Sequence, residues 1–274
     1  MSTAPEVPFR LRRPVTTLWR TPSALQLGLD ADALVLDSAP SAVADAIELL
    51  REPLTPTQLA HRVPALGVAE ARWLCAHLSR EGFLTTDSPQ LTPSVAVLGQ
   101  GPLAAATVDA LRQVAVPVQR LDRAGLTDAI DHDQMVVVAA PTAEPDRVDL
   151  ARLRSAGRPH LVVRIEASRA VVGPFVEPRV SACVHCDDLA RAHRDPAWAQ
   201  LLQQLSRRRV TPDPGLLAWA ADTAVNQIRA WHRGISPETY NRCIELGLDS
   251  FAQRQRPVVR HPDCGCDDPL LENH

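Results

Sequence analysis

The chain contains no lysine; all 29 of its basic residues are arginine. That absence removes several chemistries at once. No Schiff base can form, and no phosphate-binding loop can be completed by a lysine amine. Arginine can clamp a phosphate, but it cannot shuttle a proton as a tuned amine does. No apolar run is long enough to cross a bilayer. The opening residues, Met1-Ser2-Thr3-Ala4-Pro5-Glu6, lack the apolar core of a signal peptide, so a cytoplasmic protein without structural disulfides is expected. A formal net charge of −3 favours neither nucleic acid nor an anionic membrane surface as partner. What remains is a globular composition, 45% hydrophobic and 22% charged, in 274 residues, enough for two domains.

Four cysteines in two tight pairs are the most informative feature present. Cys183-Val184-His185-Cys186 is one pair, and Cys264-Gly265-Cys266, preceded by His261-Pro262, is the other. Each pair can offer two thiolates from one turn, the arrangement of a structural tetrahedral zinc site. Four protein ligands leave no open position for substrate or activated water, so such a site is a clamp. Two disulfides, or a redox-active Cys-x-x-Cys at Cys183, are the competing readings. His185 and His261 stand near enough to substitute for a thiolate.

Residues 1–90 read as a small module of three strands and three helices. Val15 to Arg20, Ala24 to Leu27 and Ala33 to Leu36 are the strands, with Asp30-Ala31-Asp32 as a turn. The first helix carries Val43, Ile47 and Leu50. The second opens on a capping box, Thr55-Pro56-Thr57-Gln58. The third sets Val68, Ala71, Leu74, Cys75 and Leu78 on one face and stops at Gly82. Phe83 to Thr86 then forms a possible wing, giving a winged-helix-like order. A DNA reader would carry a basic third helix. Here that helix is close to neutral, with Glu70, Arg72, His77, Arg80 and Glu81. The order suits capture of an extended peptide as an added strand. Leu34, Leu36, Arg72 and Ser79 are then the candidate groove residues. Trp19, Trp73 and Cys75 are expected in the core, and Asp87-Ser88-Pro89-Gln90 as a linker.

Residues 91–274 read as a mostly parallel α/β domain. The strand Ser94 to Leu98 leads into Gly99-Gln100-Gly101-Pro102-Leu103-Ala104 and a helix to about Val114. This is G-x-G-x-x-A in dinucleotide-binding context. A second strand, Val116 to Leu121, ends at Asp122, near the distance at which an acidic residue meets a ribose hydroxyl. Gln134 to Ala140 and Leu161 to Ile165 are further strands. The phosphate chemistry is missing. Pro102 removes one backbone donor from the helix N-terminus. The third strand ends in Ala139-Ala140-Pro141-Thr142, with no carboxylate for a magnesium ion. Asp131-His132-Asp133 precedes that strand, at the wrong end of the sheet for the crevice, and reads as a solvated loop.

This combination resembles the ThiF/MoeB-like family related to ubiquitin-activating enzymes. More closely it resembles the ThiF-like leader-peptide-binding proteins of azoline peptide biosynthesis. The likeness is carried by Val172-Gly173-Pro174-Phe175-Val176-Glu177-Pro178 leading into Ser181 to Cys186, by Arg194-Asp195-Pro196-Ala197-Trp198, and by His261 to Cys266. It implies a Rossmann-like body, a zinc ion on Cys183, Cys186, Cys264 and Cys266, and an N-terminal module that binds the leader of a ribosomal peptide precursor. It also implies a YcaO-type cyclodehydratase as partner and a homodimer formed through the helical segment from Pro214 to Trp231. Core packing by Leu216, Ala220, Ala224 and Ile228 is the plainer use of that segment. Active members of the family place a lysine and an arginine on ATP phosphates and a carboxylate after the third strand. Both the lysine and the carboxylate are missing here. The expectation is therefore a noncatalytic precursor-binding protein that does not use ATP, with a vestigial crevice at Gly99, Gly101 and Asp122. A divergent adenylyltransferase using those three residues is the alternative, and a transcription factor with an α/β sensor domain a third. Cys243 is the one cysteine outside the zinc set that could carry thioester chemistry; a buried structural cysteine is the plainer reading. Arg207-Arg208-Arg209 reads as a solvated helix end.

Overall fold

A computed structural model describes residues 6–86, 93–123 and 134–266. The expectations for Asp87 to Gln90 and for Asp131 to Asp133 fall outside these residues. The chain divides into two compact units, Met1–Leu91 and Thr92–His274.

The first unit runs β1 (Phe9–Leu11), β2 (Thr17–Thr21), β3 (Ala24–Leu27), β4 (Leu34–Leu36), α1 (Ser41–Leu49), α2 (Pro56–Arg62), α3 (Val68–Arg80) and β5 (Leu84–Thr86). Local chemistry explains the elements. Thr55 caps α2 through its side chain, Gln58 returns the bond, and Pro56 sits at the first helical position, where its missing N–H costs nothing. Helix α3 buries Ala71, Leu74, Cys75 and Leu78, spaced on one face. Strands β2, β3 and β4 form an antiparallel sheet with β4 at one edge. Strand β5 pairs with β1, a strand the sequence did not announce, and not with that sheet. Leu25, Leu27, Ile47, Leu50, Leu59, Leu74 and Leu78 make one core.

Two tryptophans expected in that core are not there. Trp73 is 60% exposed and Trp19 43% exposed. Trp73 lies outside the α3 stripe and stacks on His77, one turn later, with ring centroids 5.0 Å apart. Trp19 stands on β2, the other edge of the three-stranded sheet.

The second unit is a seven-stranded sheet between helices. Its strands are β6 (Val95–Leu98), β7 (Val118–Leu121), β8 (Met135–Ala139), β9 (His160–Glu166), β10 (Arg169–Val176), β11 (Arg242–Gly247) and β12 (Gln253–Pro257), in the order β12-β11-β10-β9-β8-β6-β7. Strands β7, β6, β8 and β9 are parallel. Strands β10, β11 and β12 continue the sheet antiparallel, so the expectation of a mostly parallel sheet holds for one half only. Helices α4 (Pro102–Gln113) and α8 (Pro214–His232) cover one face, where Val95, Val97, Val137, Val163 and Phe175 meet Leu103, Leu111, Ala220 and Ile228. Leu150 and Leu153 of α5 (Arg147–Ser155) and Val184 of α6 (Val184–Arg194) cover the other. Helix α7 (Trp198–Leu205) follows α6. A strand buried on both faces is apolar throughout, which is why β6 and β8 read as unbroken hydrophobic runs. No helix among the described residues is long and apolar enough to cross a membrane.

Candidate functional site

The two cysteine pairs converge. Cys183 is the N-cap residue of α6 and Cys186 lies in its first turn. Cys264 ends a short 3-10 turn, Pro262–Cys264, and Gly265 follows with φ +62°. That left-handed step suits glycine and turns Cys266 back beside Cys264. The Sγ–Sγ distances are 3.8 Å for Cys183–Cys186, 3.5 Å for Cys183–Cys264 and 3.5 Å for Cys186–Cys266, and all four sulfurs lie within 4.8 Å of one another. A disulfide needs about 2.05 Å. A tetrahedron with metal–sulfur bonds of about 2.3 Å has edges of about 3.8 Å. The donor set therefore fits a four-thiolate metal centre and does not fit two disulfides. All four cysteines are buried, among Val171, Val176, Ala182 and Val258.

His185 is exposed, and the His261 side chain accepts a hydrogen bond from the Asp263 backbone; neither joins the cluster. Burial raises the Cys264 thiol to about 12, with the neighbouring Cys183 adding to the effect. Buried, crowded thiols of this kind are poor free nucleophiles, and a structural metal is the use this geometry suits. Arg154 approaches from α5, its Nη1 lying 3.9 Å from the Cys183 sulfur. Cys243 is buried in β11 beside the cluster. Burial raises its thiol despite the nearby Arg164 and Arg256, which suits a structural cysteine.

At the other end of the sheet, β6 has β7 on one side and β8 on the other. This is the position where open α/β sheets place their ligand crevice, outside the carboxyl ends of the strands. A cleft of about 490 Å³ lies there, lined by Gly99, Gln100, Gly101, Gln119, Arg120, Leu121 and Asp122. The three residues expected in a crevice are thus brought together. Gly99 takes φ +144°, and a Cβ on it would fall 2.1 Å from the Ala139 carbonyl oxygen. A separate small cavity of about 20 Å³ is lined by residues that include Gln100, Pro102, Pro141, Thr142, Val210 and Pro212. The segment before α8 lies across the end of β8, where the Ala143 N–H donates to the Arg208 carbonyl at 3.0 Å and Thr142 pairs with Arg209.

The expected groove residues of the first unit are placed as follows. Leu34 and Leu36 lie on β4, Leu34 half-buried and Leu36 buried in the core, so at Leu36 the strand has its backbone to offer a ligand. Ser79 is half-buried on α3. Arg72 is exposed and holds Glu6 through Nε (3.0 Å) and Nη2 (2.6 Å). The Thr57 N–H and Arg72 lower the Glu6 carboxyl to about 2.

An ion-pair network in the second unit was not foreseen. Arg164, 3% exposed, stands in β9 with its Nε 3.2 Å from Glu144, which is 2% exposed. Glu144 also meets Arg147 (3.0 Å) and Arg191 (3.5 Å). Burial alone would raise the Glu144 carboxyl, but the three guanidinia override it and the pKa is lowered. Arg147 continues to Asp188, Arg191 to Asp187, and Arg256 to Asp187 and Glu245. The signal was a charge inside an apolar strand, Leu161-Val162-Val163-Arg164-Ile165.

No known protein-family profile matches the chain, and no curated protein sequence matches it. Solved structures do. A heterocyclase in complex with substrate and cofactor superimposes with a TM-score of 0.67 at 16% identity over 97% of this chain. The heterocyclase TruD gives 0.64 at 16% identity over 95%. The chain spans only about two fifths of those proteins, 40% and 42%. E. coli MccB, solved with ATP and with forms of MccA, gives 0.54 at 13–14% identity, over 94–95% of this chain and 99% of MccB. The likeness extends over both units, and the Rossmann-like sheet of the second has the fold of these proteins.

Proposed function

We propose that the protein is a noncatalytic binding protein that holds the leader of a ribosomal peptide precursor and presents the core to a separate YcaO-type cyclodehydratase for azoline formation. The observation that carries this is the fold likeness over 97% of the chain to two fifths of a heterocyclase whose structure includes its substrate. The chain corresponds in fold to part of such an enzyme. The likeness to MccB solved with MccA supports a precursor peptide as ligand. The first unit, read as a winged-helix-like module, would take the leader along the edge of β4, with Leu34, Leu36, Arg72 and Ser79 forming the groove. Main-chain pairing would supply affinity and the flanking side chains specificity. Binding would raise the concentration of core peptide near the modifying enzyme.

In this reading Cys183, Cys186, Cys264 and Cys266 hold a structural zinc ion, which ties the last turn of the second unit to α6. The protein would act as a homodimer in the cytoplasm. The missing lysine and the lack of a carboxylate at Ala139 to Thr142 support a body that does not activate ATP.

The test is calorimetric titration of the zinc-loaded full chain with precursor peptides encoded beside it, as whole precursor, leader alone and core alone. Saturable binding of precursor and leader, but not core, is expected. Faster heterocycle formation by the neighbouring cyclodehydratase is expected when this protein is added. Failure of every leader to bind would remove the reading. A second reading, a divergent adenylyltransferase, is favoured by the open cleft joining Gly99, Gly101 and Asp122. ATP–magnesium titration with pyrophosphate exchange decides it: exchange would mean that an arginine serves where the family uses lysine.

A further inference from the structure

A second pocket of the larger unit has no part in the reading above. It has a volume of about 310 Å³ and is lined by Arg169, Arg191, Arg194, Asp195, Trp198 and Arg256. Four guanidinia thus converge from the start of β10, the last turn of α6 and the edge strand β12. Arg191 stacks over the Trp198 ring at 4.5 Å, and Trp198 Nε1 donates to Asp188 at 3.1 Å, so the floor is rigid.

Two of the nearby carboxylates lie behind arginines, while that of Asp195 is exposed in the lining. The carboxylates of Asp187 and Glu245 are 9% and 12% exposed, behind Arg256 at 25% and Arg169 at 42%. Donors are left over. Arg169 uses Nε on Glu166 (2.6 Å) and Nη1 on Glu245 (3.3 Å), and Arg194 uses Nε on the Ala190 carbonyl (3.3 Å). Among the described residues, Arg169 Nη2 and both Nη atoms of Arg194 have no hydrogen-bond partner. The fork of a guanidinium matches a carboxylate in two parallel bonds.

We propose that this pocket is a docking site for an acidic peptide segment, whose carboxylate is gripped by Arg169 and Arg194 over the Arg191–Trp198 stack. The three unpartnered Nη atoms suffice for the two oxygens of a single carboxylate. The pocket is open on one side, and pockets that bind free small molecules bury most of the ligand. A side chain tethered to its own peptide needs no such enclosure. The peptide backbone has a partner at hand in β12, which pairs only with β11 among the described residues. The inference stands independently of the leader-binding reading.

The test follows the Trp198 indole resonance of the full chain by NMR. The probe is an acetylated, amidated pentapeptide Ala-Glu-Asp-Glu-Ala. Controls are its Gln/Asn analogue with a free C-terminal carboxylate, the same analogue amidated, and inorganic phosphate. Saturable, salt-sensitive shifts with the acidic peptide are expected. Weaker shifts with the free-carboxylate analogue than with the acidic peptide are expected, and tighter binding of that analogue would overturn the proposal. Arg194→Gln should weaken binding about tenfold without lowering the melting temperature; Arg169→Gln should weaken it as much and also lower the melting temperature, since Glu166 and Glu245 lose a partner. Asp195→Asn should tighten it, an outcome that damage to the fold cannot produce. The proposal is overturned by no shift with the acidic peptide, by shifts indifferent to both arginine substitutions, by equal binding of the amidated neutral analogue, or by phosphate binding more tightly than the acidic peptide.

Discussion

Replacing Glu144 with glutamine keeps the shape of the side chain and removes the charge on which three arginines converge. Arg147 retains Asp188 at 2.7 Å, and Arg191 retains Asp187 at 3.2 Å. Arg164 is left with Glu166 at 3.7 Å as its nearest carboxylate. Its Nε already lacks a well-aligned acceptor, and the residue is 3% exposed, so water cannot replace the lost partner. Breaking a buried pair from one side costs about 3–5 kcal/mol, because the remaining charge stays desolvated. A domain of this size loses about 2–4 °C of melting temperature per kcal/mol. The expected fall is therefore about 6–20 °C, read by calorimetry as the transition of the larger unit.

The double variant Glu144→Leu with Arg164→Met supplies the decisive comparison. Removing both charges abolishes the desolvation cost as well as the attraction. The double variant should recover more than half of the loss, giving a large coupling in the cycle. A fall below about 3 °C for Glu144→Gln, or a double variant no better than the single, would refute the argument. It would mean that Arg164 reaches solvent or finds another acceptor.

Further outcomes are expected. Cys264→Ser should lower bound zinc from about one ion per chain, by mass spectrometry of metals, and destabilise the larger unit; zinc ligation contributes about 10–16 kcal/mol in small zinc peptides. Chelation of the native protein should have the same direction. Gly99→Ala forces a Cβ against the Ala139 oxygen at φ +144°, and should cost at least about 1–3 kcal/mol in denaturant titration. Glu144 has a folded pKa below its unfolded value of 4.5, so its stabilisation is complete above that value and is lost as pH falls through the folded value. Acid titration should accordingly unfold wild type over a pH range in which the melting of Glu144→Gln changes less. Arg72→Ala should weaken leader binding at least several-fold in the calorimetric titration while leaving the melting temperature within about 2 °C, since its ion pair with Glu6 is exposed.

Much of the architecture was legible because it depends on local pattern. The Thr55 capping box, the α3 stripe of Ala71, Leu74, Cys75 and Leu78, and the apolar strands β6 and β8 follow from spacing alone. Gly99 and Gly101 could be placed in a strand-to-helix turn because only glycine tolerates their φ angles there. Other features have no local signature. Strands β10 to β12 are antiparallel additions to a parallel sheet, a matter of which strand meets which. The outward placement of Trp19 and Trp73 depends on which face each element turns to its neighbours. The arginine–carboxylate network joins residues up to 76 positions apart, as Arg169 meets Glu245.

The sequence by itself determined the donor chemistry: four thiols in two close pairs, a glycine turn before a helix, and no lysine amine anywhere. Close pairs are a local property, fixed by the turn that carries them. Only the tertiary structure decided that the two pairs, some 80 residues apart, meet with sulfurs 3.5 Å from each other. It also decided that the segment before α8 lies across the end of β8, where Ala143 meets Arg208. Both outcomes rest on packing between distant segments, whose free energy is the sum of many contacts that no short stretch of sequence contains.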